Sequence, residues 1–279
     1  IQQTFVGLTA IVCLHFLVEI IMIRATVSLI LVLLMSTGII ISRGVAAMST
    51  TSRTGGSNPA GALIFLHGLG DTPAGWSHLK SMLPGICPRL AGIEYVFPPA
   101  PTIGLTINGG MQMPGWFDLY DWPIGISARD DPDGLAAAVR TVEEAVQRLN
   151  AAGIESKRIV VGGFSQGGAI ALRASYGKTG AACGGVAALS GWLTMANDLE
   201  ISGPSQSTPL FWAHGRYDDK VLFEQQAHGI SKLRAAGVQD IESHQYDMGH
   251  ESHPDEIQKL AAFVDKSIFG DVADAEKEL

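Results

Sequence analysis

The chain has 279 residues, of which 47% are hydrophobic and 16% are charged. This composition is typical of an ordered globular protein, and the length allows one large α/β domain with a sizeable core. The formal net charge is -8 and no block of lysine and arginine occurs, which argues against nucleic acid as a partner. The three cysteines are scattered without the spacing of a zinc site, so we expect no cofactor.

The first 47 residues differ in composition from the rest. They are apolar almost throughout and contain two basic residues and one acidic residue. Three interpretations are open: a translated leader that the working protein lacks, a signal or membrane anchor, and a two-pass hairpin that would put His15 and Glu19 at membrane depth. Met48 would make an ordinary N-terminus. We expect a cytoplasmic protein, with a secretory or anchored protein as the alternative, and any membrane contact through residues 1–47.

The remaining chain divides into three parts. Residues 48–60 are rich in serine and glycine and predict a flexible lead-in, residues 61–270 predict the catalytic domain, and residues 271–279 predict an acidic tail. In chain order we predict a strand over 62–66, a strand over 94–97, a helix over 134–150, a strand over 158–161, a helix over 167–175, strands over 185–189 and 209–213, a helix over 221–236, a strand over 241–246 and a helix over 254–268.

The order of these elements predicts the fold class. Strands that are apolar at every position, such as 62–66, are typical of parallel sheets that are buried on both faces. Amphipathic segments between the strands, such as 134–150, provide helices to cover those faces. We therefore predict an α/β fold with a mostly parallel central sheet flanked by helices on both faces.

A serine lies between glycines in the sequence GFSQG at residues 163–167, directly after a predicted strand. The pattern G-x-S-x-G is typical of a nucleophile elbow, in which a serine stands on a sharp strand-to-helix turn. Any side chain at Gly163 or Gly167 would collide with neighbouring structure, so glycine permits the turn. The alternative is a glycine-rich turn with an incidental serine; a phosphate-binding loop is disfavoured because no lysine follows the last glycine. The pattern predicts Ser165 as a nucleophile.

A serine hydroxyl needs a base, and the base needs a carboxylate that orients it. In this architecture the acid and the histidine follow the serine in that order. Asp218 lies in the loop after the fifth predicted strand, and His250 lies in the loop after the sixth. Both loops are at the sheet edge that carries Ser165. Asp219 competes with Asp218 for the role of the acid, and Asp247 is a third candidate.

A cluster of histidines near the C-terminus leaves a metal site as another interpretation. His244, His250 and His253 lie close together beside Asp247 and Glu251. The spacing matches no common ligand motif, and a metal would leave the serine turn unexplained, so we expect no metal site. His253 directly precedes a proline and is expected to begin a helix.

The negative charge that develops on an attacked carbonyl oxygen needs hydrogen-bond donors. In esterases of this architecture one donor is the backbone N–H that follows the nucleophile, here Gln166, and the other comes from the loop after an early strand. The sequence His67-Gly68-Leu69-Gly70 is that loop. We expect the N–H groups of Leu69 and Gln166 to form the oxyanion hole.

Five segments resemble the acyl-protein thioesterase and lysophospholipase-like carboxylesterases of the α/β-hydrolase fold. They stand in the family's order between about residues 61 and 269: LIFLHGLGDTPAGW, QMPGWFDLY, RIVVGGFSQGGAIAL, HGRYDDKV and YDMGHESHP. The resemblance implies that Ser165, Asp218 and His250 form a catalytic triad and that Leu69 and Gln166 supply the oxyanion amides.

The resemblance also favours one of the candidate acids of the triad, and the sequence departs from the family's pattern at two positions. Asp218 is preferred over Asp219 because it stands four residues after His214, as in the family. The position after the family's histidine is usually small or hydroxylated, but here it is Glu251, and the loop after Asp218 lacks the usual proline. These departures concern substrate entry more than chemistry.

The resemblance implies hydrolysis of fatty acyl thioesters and esters, including S-acylated protein cysteines and lysophospholipids. A non-catalytic acyl- or lipid-binding module on the same fold is the alternative. The loop over residues 98–116 is unusually apolar, and we expect Leu105, Met113 and Trp116 to line an acyl groove. The loop could equally pack against its own core.

Overall fold

The computed structural model describes residues 59–177, 183–201 and 203–270. The expected leader over 1–47, the tail over 271–279 and nearly all of the lead-in over 48–60 lie outside the described residues, so the predicted domain boundaries stay predictions. Within the described ranges, no helix has both the length and the apolar character needed to cross a membrane.

The described residues form eight strands and six α-helices, together with short 3₁₀ turns. In chain order the elements are β1 (Ala62–Leu66), α1 (Pro73–Trp76), α2 (Leu79–Ile86), β2 (Glu94–Val96), β3 (Thr102–Leu105), β4 (Met111–Pro114), α3 (Pro132–Ala151), β5 (Ile159–Phe164), α4 (Gln166–Tyr176), β6 (Gly185–Leu189), β7 (Leu210–Gly215), α5 (Glu224–Ala235), β8 (Ile241–Tyr246) and α6 (Pro254–Phe269).

Six parallel strands form the central sheet in the order β2-β1-β5-β6-β7-β8. Alternate residues of β1 enter different cores: Ile64 packs with α3 and α4, whereas Leu63 packs with α2 and α6. Both faces of the sheet are therefore buried, which explains why the central strands are apolar at every position. The predicted parallel sheet with helices on both faces is confirmed.

Two regions between β1 and α3 differ from the expectation of irregular loops. Residues 98–116 contain an antiparallel hairpin of β3 and β4, which turns through Gly109 and Gly110 at φ 64° and 84°. Short helices α1 and α2 follow β1, and α2 contains Pro84. The hairpin stands apart from the main sheet and exposes Met111, so its alternation of apolar and polar residues is weak. The proline disfavours a helix, so the helical pattern of α2 is weak as well.

Helix α5 begins at Glu224, three residues later than predicted. The preceding residues are held by other partners: Val221 forms a bridge with Ile124, and its amide donates to Asp218 Oδ1 at 2.9 Å. The Val221 carbonyl lies 2.9 Å from His214 Nε2, so it is not available to accept a helical hydrogen bond and the helix begins after it.

The strand order reverses between β1 and β5. β1 lies between β2 and β5, so the loops that follow β1 and β5 diverge to form a crevice at their carboxyl ends. Leu69 follows β1 and Ser165 follows β5. The topology alone therefore places these two residues beside one crevice.

The loop that carries His250 is anchored by the start of α6. His253 caps this helix, as predicted: its Nδ1 accepts from the Asp255 amide at 3.2 Å, and its own amide donates to Glu256 Oε2 at 3.2 Å. Glu256 is fully buried, and burial raises its pKa to about 7 even though the bond from His253 acts in the opposite direction. The cap therefore contains a carboxyl that ionises near neutral pH.

We predict that Glu256→Gln flattens the dependence of stability on pH. The raised pKa means that the folded protein holds a proton that the unfolded chain releases above about pH 4.3, so wild-type stability is lost as pH rises through about 7. Between pH 5 and pH 8 the loss is about 3 kcal/mol. Glutamine retains the acceptor for the His253 amide and does not ionise. Denaturant unfolding at pH 5 and pH 8 measures the difference, and Glu144→Gln, at an exposed position of α3, is the control. Equal pH slopes in wild type and Glu256→Gln would contradict the prediction.

Candidate active site

Ser165 stands at the junction of β5 and α4 with a strained backbone. Its φ of 55° and ψ of -120° lie in a region that residues with side chains rarely adopt. Two backbone hydrogen bonds hold it there: the Ser165 amide donates to Leu189 O at 2.8 Å, and the Ser165 carbonyl accepts from the Ala169 amide at 3.0 Å. The turn is thus tied to both the neighbouring strand and the following helix.

The two glycines of the turn are required by close backbone contacts. A Cβ atom at Gly163 would lie 2.4 Å from the carbonyl carbon of Gly167, and one at Gly167 would lie 2.2 Å from Leu66 O. Real Cβ atoms do not approach backbone so closely. A side chain at Gly163 would therefore collide with α4, and a side chain at Gly167 would collide with β1, in line with the collisions expected from the sequence.

The structure brings Ser165, His250 and Asp218 into one hydrogen-bonded chain. His250 Nδ1 lies 2.7 Å from Asp218 Oδ2, and His250 Nε2 lies 2.9 Å from Ser165 Oγ. Because a carboxylate only accepts, Nδ1 carries the proton and donates, and Nε2 is left to accept from the serine hydroxyl. The imidazole is therefore in the tautomer that a general base needs.

The Asp218 carboxylate is fully buried, and every one of its contacts favours the ionised form. Its Oδ1 accepts from the amides of Lys220 and Val221, each at 2.9 Å, and its Oδ2 faces His250 and His214. Burial alone would raise the pKa of Asp218, but the hydrogen bonds from His214, His250 and the Lys220 amide hold it well below its usual range. The acid remains a carboxylate at neutral pH.

His214 has a supporting position that its place in the sequence did not reveal. Its side chain is fully buried, and Nε2 lies 2.9 Å from Val221 O and 3.4 Å from Asp218 Oδ2. Since both neighbours are acceptors, Nε2 carries the proton. His214 thereby ties the acidic loop to the end of β7. The spacing of four residues between His214 and Asp218 was visible in the sequence, but the shared contact was not.

The two competing carboxylates lie away from His250. Asp219 is 73% exposed and pairs with Lys220 at 2.9 Å. Asp247 is 66% exposed and pairs with Arg216 at 2.8 Å. Only Asp218, among the three candidates, contacts the imidazole.

The neighbouring histidines have separate partners. His244 Nε2 lies 2.6 Å from Glu242 Oε1, and His253 caps α6. Among the described residues, no group of three or more His, Cys, Asp or Glu side chains is arranged to hold a metal ion. His250 instead faces the serine.

The two expected oxyanion donors both lie beside Ser165. Gln166 is the first residue of α4, where the amide has no partner within its own helix. Leu69 and Ser165 line the same cavity, and a Cβ atom at Gly68 would lie 3.4 Å from the Ser165 Cβ. The close approach of this loop brings its amides near the hydroxyl. Donation from Leu69 and Gln166 to an oxyanion stays a prediction.

The side chain of Gln166 has a structural role that we did not expect. It is fully buried, its Oε1 accepts from the Trp116 amide at 2.8 Å, and its Nε2 donates to Phe117 O at 2.7 Å. The Trp116 indole in turn donates to His67 O at 2.8 Å. Gln166 thus joins the serine turn to the segment after β4, and Trp116 joins that segment to the loop after β1.

A cavity of about 410 Å³ opens beside Ser165 and His250. Leu69, Trp76 and Phe164 contribute to its apolar wall. The three residues expected to bind acyl chains lie elsewhere: Leu105 and Trp116 are 0% and 2% exposed, and Met113 pairs with Ile103 in the hairpin. Their assignment to an acyl groove stays a prediction.

Comparison with known proteins identifies the family. The phospholipase/carboxylesterase family model matches residues 51–268. The chain belongs to this family of hydrolases. It is 39% identical over 227 residues to acyl-protein thioesterase 1 of Mycosarcoma maydis, covering 76% of this chain and 93% of that protein. Acyl-protein thioesterase 1 of Saccharomyces cerevisiae is 36% identical over 214 residues, covering 74% of this chain and 92% of the yeast protein.

Solved structures of related proteins have the same fold as this chain. Arabidopsis thaliana SOBER1 matches with a TM-score of 0.67 and 27% identity, covering 75% of this chain and 99% of the plant chain. Zea mays acyl-protein thioesterase 2 matches with a TM-score of 0.64 and 28% identity, covering 75% and 94%. The predicted resemblance and the predicted α/β-hydrolase fold are both confirmed.

We predict that Gln166→Ala lowers both stability and turnover. The substitution leaves the Trp116 amide and the Phe117 carbonyl buried without a partner, at a cost of about 1–3 kcal/mol for each group. It also frees the segment that positions the loop after β1, although the residue 166 amide is retained. Denaturant unfolding and ester hydrolysis measure the two effects.

The matched control is Gln226→Ala. Gln226 is also buried and donates two hydrogen bonds, to Trp212 O and His244 O, but it does not contact the serine turn. We expect it to lose comparable stability and to keep its kcat. If both variants retained wild-type kcat at a temperature where both are folded, the role of Gln166 would be structural alone.

Proposed function

We propose that this protein hydrolyses fatty acyl thioesters and esters through a covalent acyl-enzyme, with Ser165 as nucleophile, His250 as general base and acid, and Asp218 as the orienting acid. The observation that carries the proposal is the continuous hydrogen-bonded chain, with 2.9 Å from Ser165 Oγ to His250 Nε2 and 2.7 Å from His250 Nδ1 to Asp218 Oδ2. These are the contacts that proton transfer from an alcohol requires.

The first half of the proposed reaction forms the acyl-enzyme. His250 Nε2 takes the Ser165 proton as Oγ attacks the acyl carbon, and the carbonyl oxygen becomes an oxyanion that the amides of Leu69 and Gln166 stabilise. The carbon–sulfur or carbon–oxygen bond of the substrate then breaks. His250 delivers the same proton to the departing thiol or alcohol, which leaves the acyl group esterified to Ser165.

The second half returns the enzyme to its starting state. His250 takes a proton from water, the resulting hydroxide attacks the acyl carbon, and the bond between Ser165 and the acyl group breaks. The proton passes back to Ser165 Oγ and a fatty acid is released. The buried Asp218 carboxylate stabilises the imidazolium that forms in each half.

The proposed substrate class follows from the relatives and from the resemblance. Several relatives that cover most of this chain are named acyl-protein thioesterase 1, which supports S-acylated protein cysteines as substrates, with lysophospholipids as the other ester class that we expect. We propose the cytoplasm as the compartment, and the N-terminal sequence of the mature protein, beginning near Met48 or upstream of it, tests this placement.

We predict that Ser165→Ala reduces hydrolysis of a p-nitrophenyl ester by at least about 10³-fold, because it removes the hydroxyl that lies 2.9 Å from His250 Nε2 and would carry the acyl group. Steady-state kinetics give the activity, and circular dichroism checks that the variant is folded. A fluorophosphonate probe should label the wild type and leave Ser165→Ala unlabelled. A folded wild type that neither turns over the ester nor takes up the probe would instead support the non-catalytic acyl-binding module.

The identity of the acid is tested by a pair of neighbouring variants. Asp218→Asn removes the acceptor that holds the imidazole in its tautomer, and we expect kcat to fall on the order of 10³- to 10⁴-fold. Asp219→Asn makes the same chemical change one residue away, at an exposed side chain, and should retain kcat within about twofold. If Asp219→Asn lost more activity than Asp218→Asn, the assignment of the acid would be wrong.

A further inference from the structure

The cavity beside Ser165 extends away from the serine along the surface between α2 and α6. A second cavity of about 300 Å³ adjoins it, and the two share His78 and Ser252. We call the combined depression the α2–α6 groove and define it by the residues that line its length: Trp76, His78, Met82, Ile86, Ser252 and Ile257.

The groove exposes apolar surface that folding does not explain. Met82 is 44% exposed and Ile86 is 37% exposed, and both lie on the outer side of α2. Closer to the serine, the Phe164 ring lies 5.2 Å from Trp76 and 4.8 Å from His250, measured between ring centroids. An apolar path therefore runs from the reacting hydroxyl to the protein surface.

The position of His250 decides which part of a substrate enters this groove. The imidazole faces Ser165 Oγ through Nε2, and its ring also lines the groove together with Glu251 and Ser252. A general acid must be within hydrogen-bond reach of the atom that it protonates, so the departing thiol or alcohol lies on the imidazole side of Ser165. The acyl group stays attached to Ser165. The α2–α6 groove therefore receives the leaving group.

The carboxylates that line the cavity beside Ser165 discriminate between leaving groups. Asp71 and Glu251 line the first cavity, and among the described residues that line either cavity there is neither a lysine nor an arginine. The phosphate of a lysophospholipid headgroup would meet these carboxylates with like charge. A peptide segment offers apolar side chains for Met82 and Ile86 and basic side chains for Asp71 and Glu251.

We infer that the α2–α6 groove binds the polypeptide that flanks an S-acylated cysteine, with basic residues next to the cysteine and an apolar residue further along the segment. This inference rests on the proposed hydrolase function, because it names the leaving group of that reaction. It also gives Glu251, which lines the first cavity, a role in selecting substrates.

The test compares two substrates that carry the same octanoyl group. One is p-nitrophenyl octanoate, whose leaving group is small; the other is a peptide with S-octanoyl cysteine, flanking lysines and a leucine. For Ile86→Gln and Met82→Gln we expect the peptide-to-nitrophenyl ratio of kcat/KM to fall about five- to tenfold, through KM for the peptide. Ile126→Gln, at a 50% exposed isoleucine outside the groove, is the control and should leave the ratio at its wild-type value.

The charge is tested separately with Glu251→Gln. Wild type should prefer the lysine-flanked peptide over a glutamate-flanked peptide of the same length, and Glu251→Gln should reduce this preference at least threefold at low ionic strength. Asp247→Asn removes an exposed carboxylate that does not line the groove and should keep the preference.

Three results would overturn the inference. The first is an equal peptide-to-nitrophenyl ratio of kcat/KM in Ile86→Gln and Ile126→Gln. The second is a shift by Ile86→Gln in the preferred acyl length of p-nitrophenyl esters, which would put the acyl chain in the groove. The third is a loss of lysophosphatidylcholine hydrolysis in Ile86→Gln with the peptide spared, which would put a lipid headgroup there. In all three cases the wild type still hydrolyses the nitrophenyl ester, so the proposed function would stand. Absence of that turnover in wild type would instead refute the proposed function, and the inference with it.

Discussion

The site depends on how closely helix α4 approaches strand β1. The space between Gly167 and the Leu66 carbonyl has no room for a single carbon atom. Because the helix can come so near, its first turn lies beside the loop that follows β1, and Ser165 is forced into a backbone conformation that a relaxed chain avoids. Bonds to Leu189 and Ala169 offset that strain. The backbone of Ser165 is thus held by main-chain contacts, and its hydroxyl faces His250 Nε2.

The parallel sheet then brings the other groups to this hydroxyl. β5, β7 and β8 all end at the same edge, so the loops with Asp218 and His250 project toward the residue that follows β5. Each loop is fixed by local bonds: His214 and the Val221 amide hold the aspartate, and the cap of α6 holds the histidine loop. Groups that are 85 residues apart in the chain, such as Ser165 and His250, meet because rigid strands deliver them.

The features that could be predicted from sequence are those that depend on a short stretch of residues or on the order of motifs along the chain. Buried strands such as β1 are apolar at every position, and the serine, the acid and the histidine occur in a fixed order. The side-chain bonds of Gln166 have no such signal in the sequence, because their partners lie 50 and 49 residues away in the chain. The hairpin of β3 and β4 and helix α2 are local, but the hairpin stands apart from the main sheet and α2 contains a proline, so their sequence patterns are weak. The acyl-binding prediction rests on apolar composition and stays a prediction; composition does not give exposure, and Leu105 is fully buried.

The Asp218 carboxylate has a consequence for how the imidazole behaves over a whole catalytic cycle. Two backbone amides contact one oxygen and two histidines face the other, so rotation of the carboxylate about its terminal bond would break these contacts. A carboxylate that is held in one orientation also orients the imidazole ring that is hydrogen-bonded to it. In the proposed reaction the nitrogen that faces Ser165 would therefore carry out both successive proton exchanges, without a ring flip between the release of one product and the arrival of water.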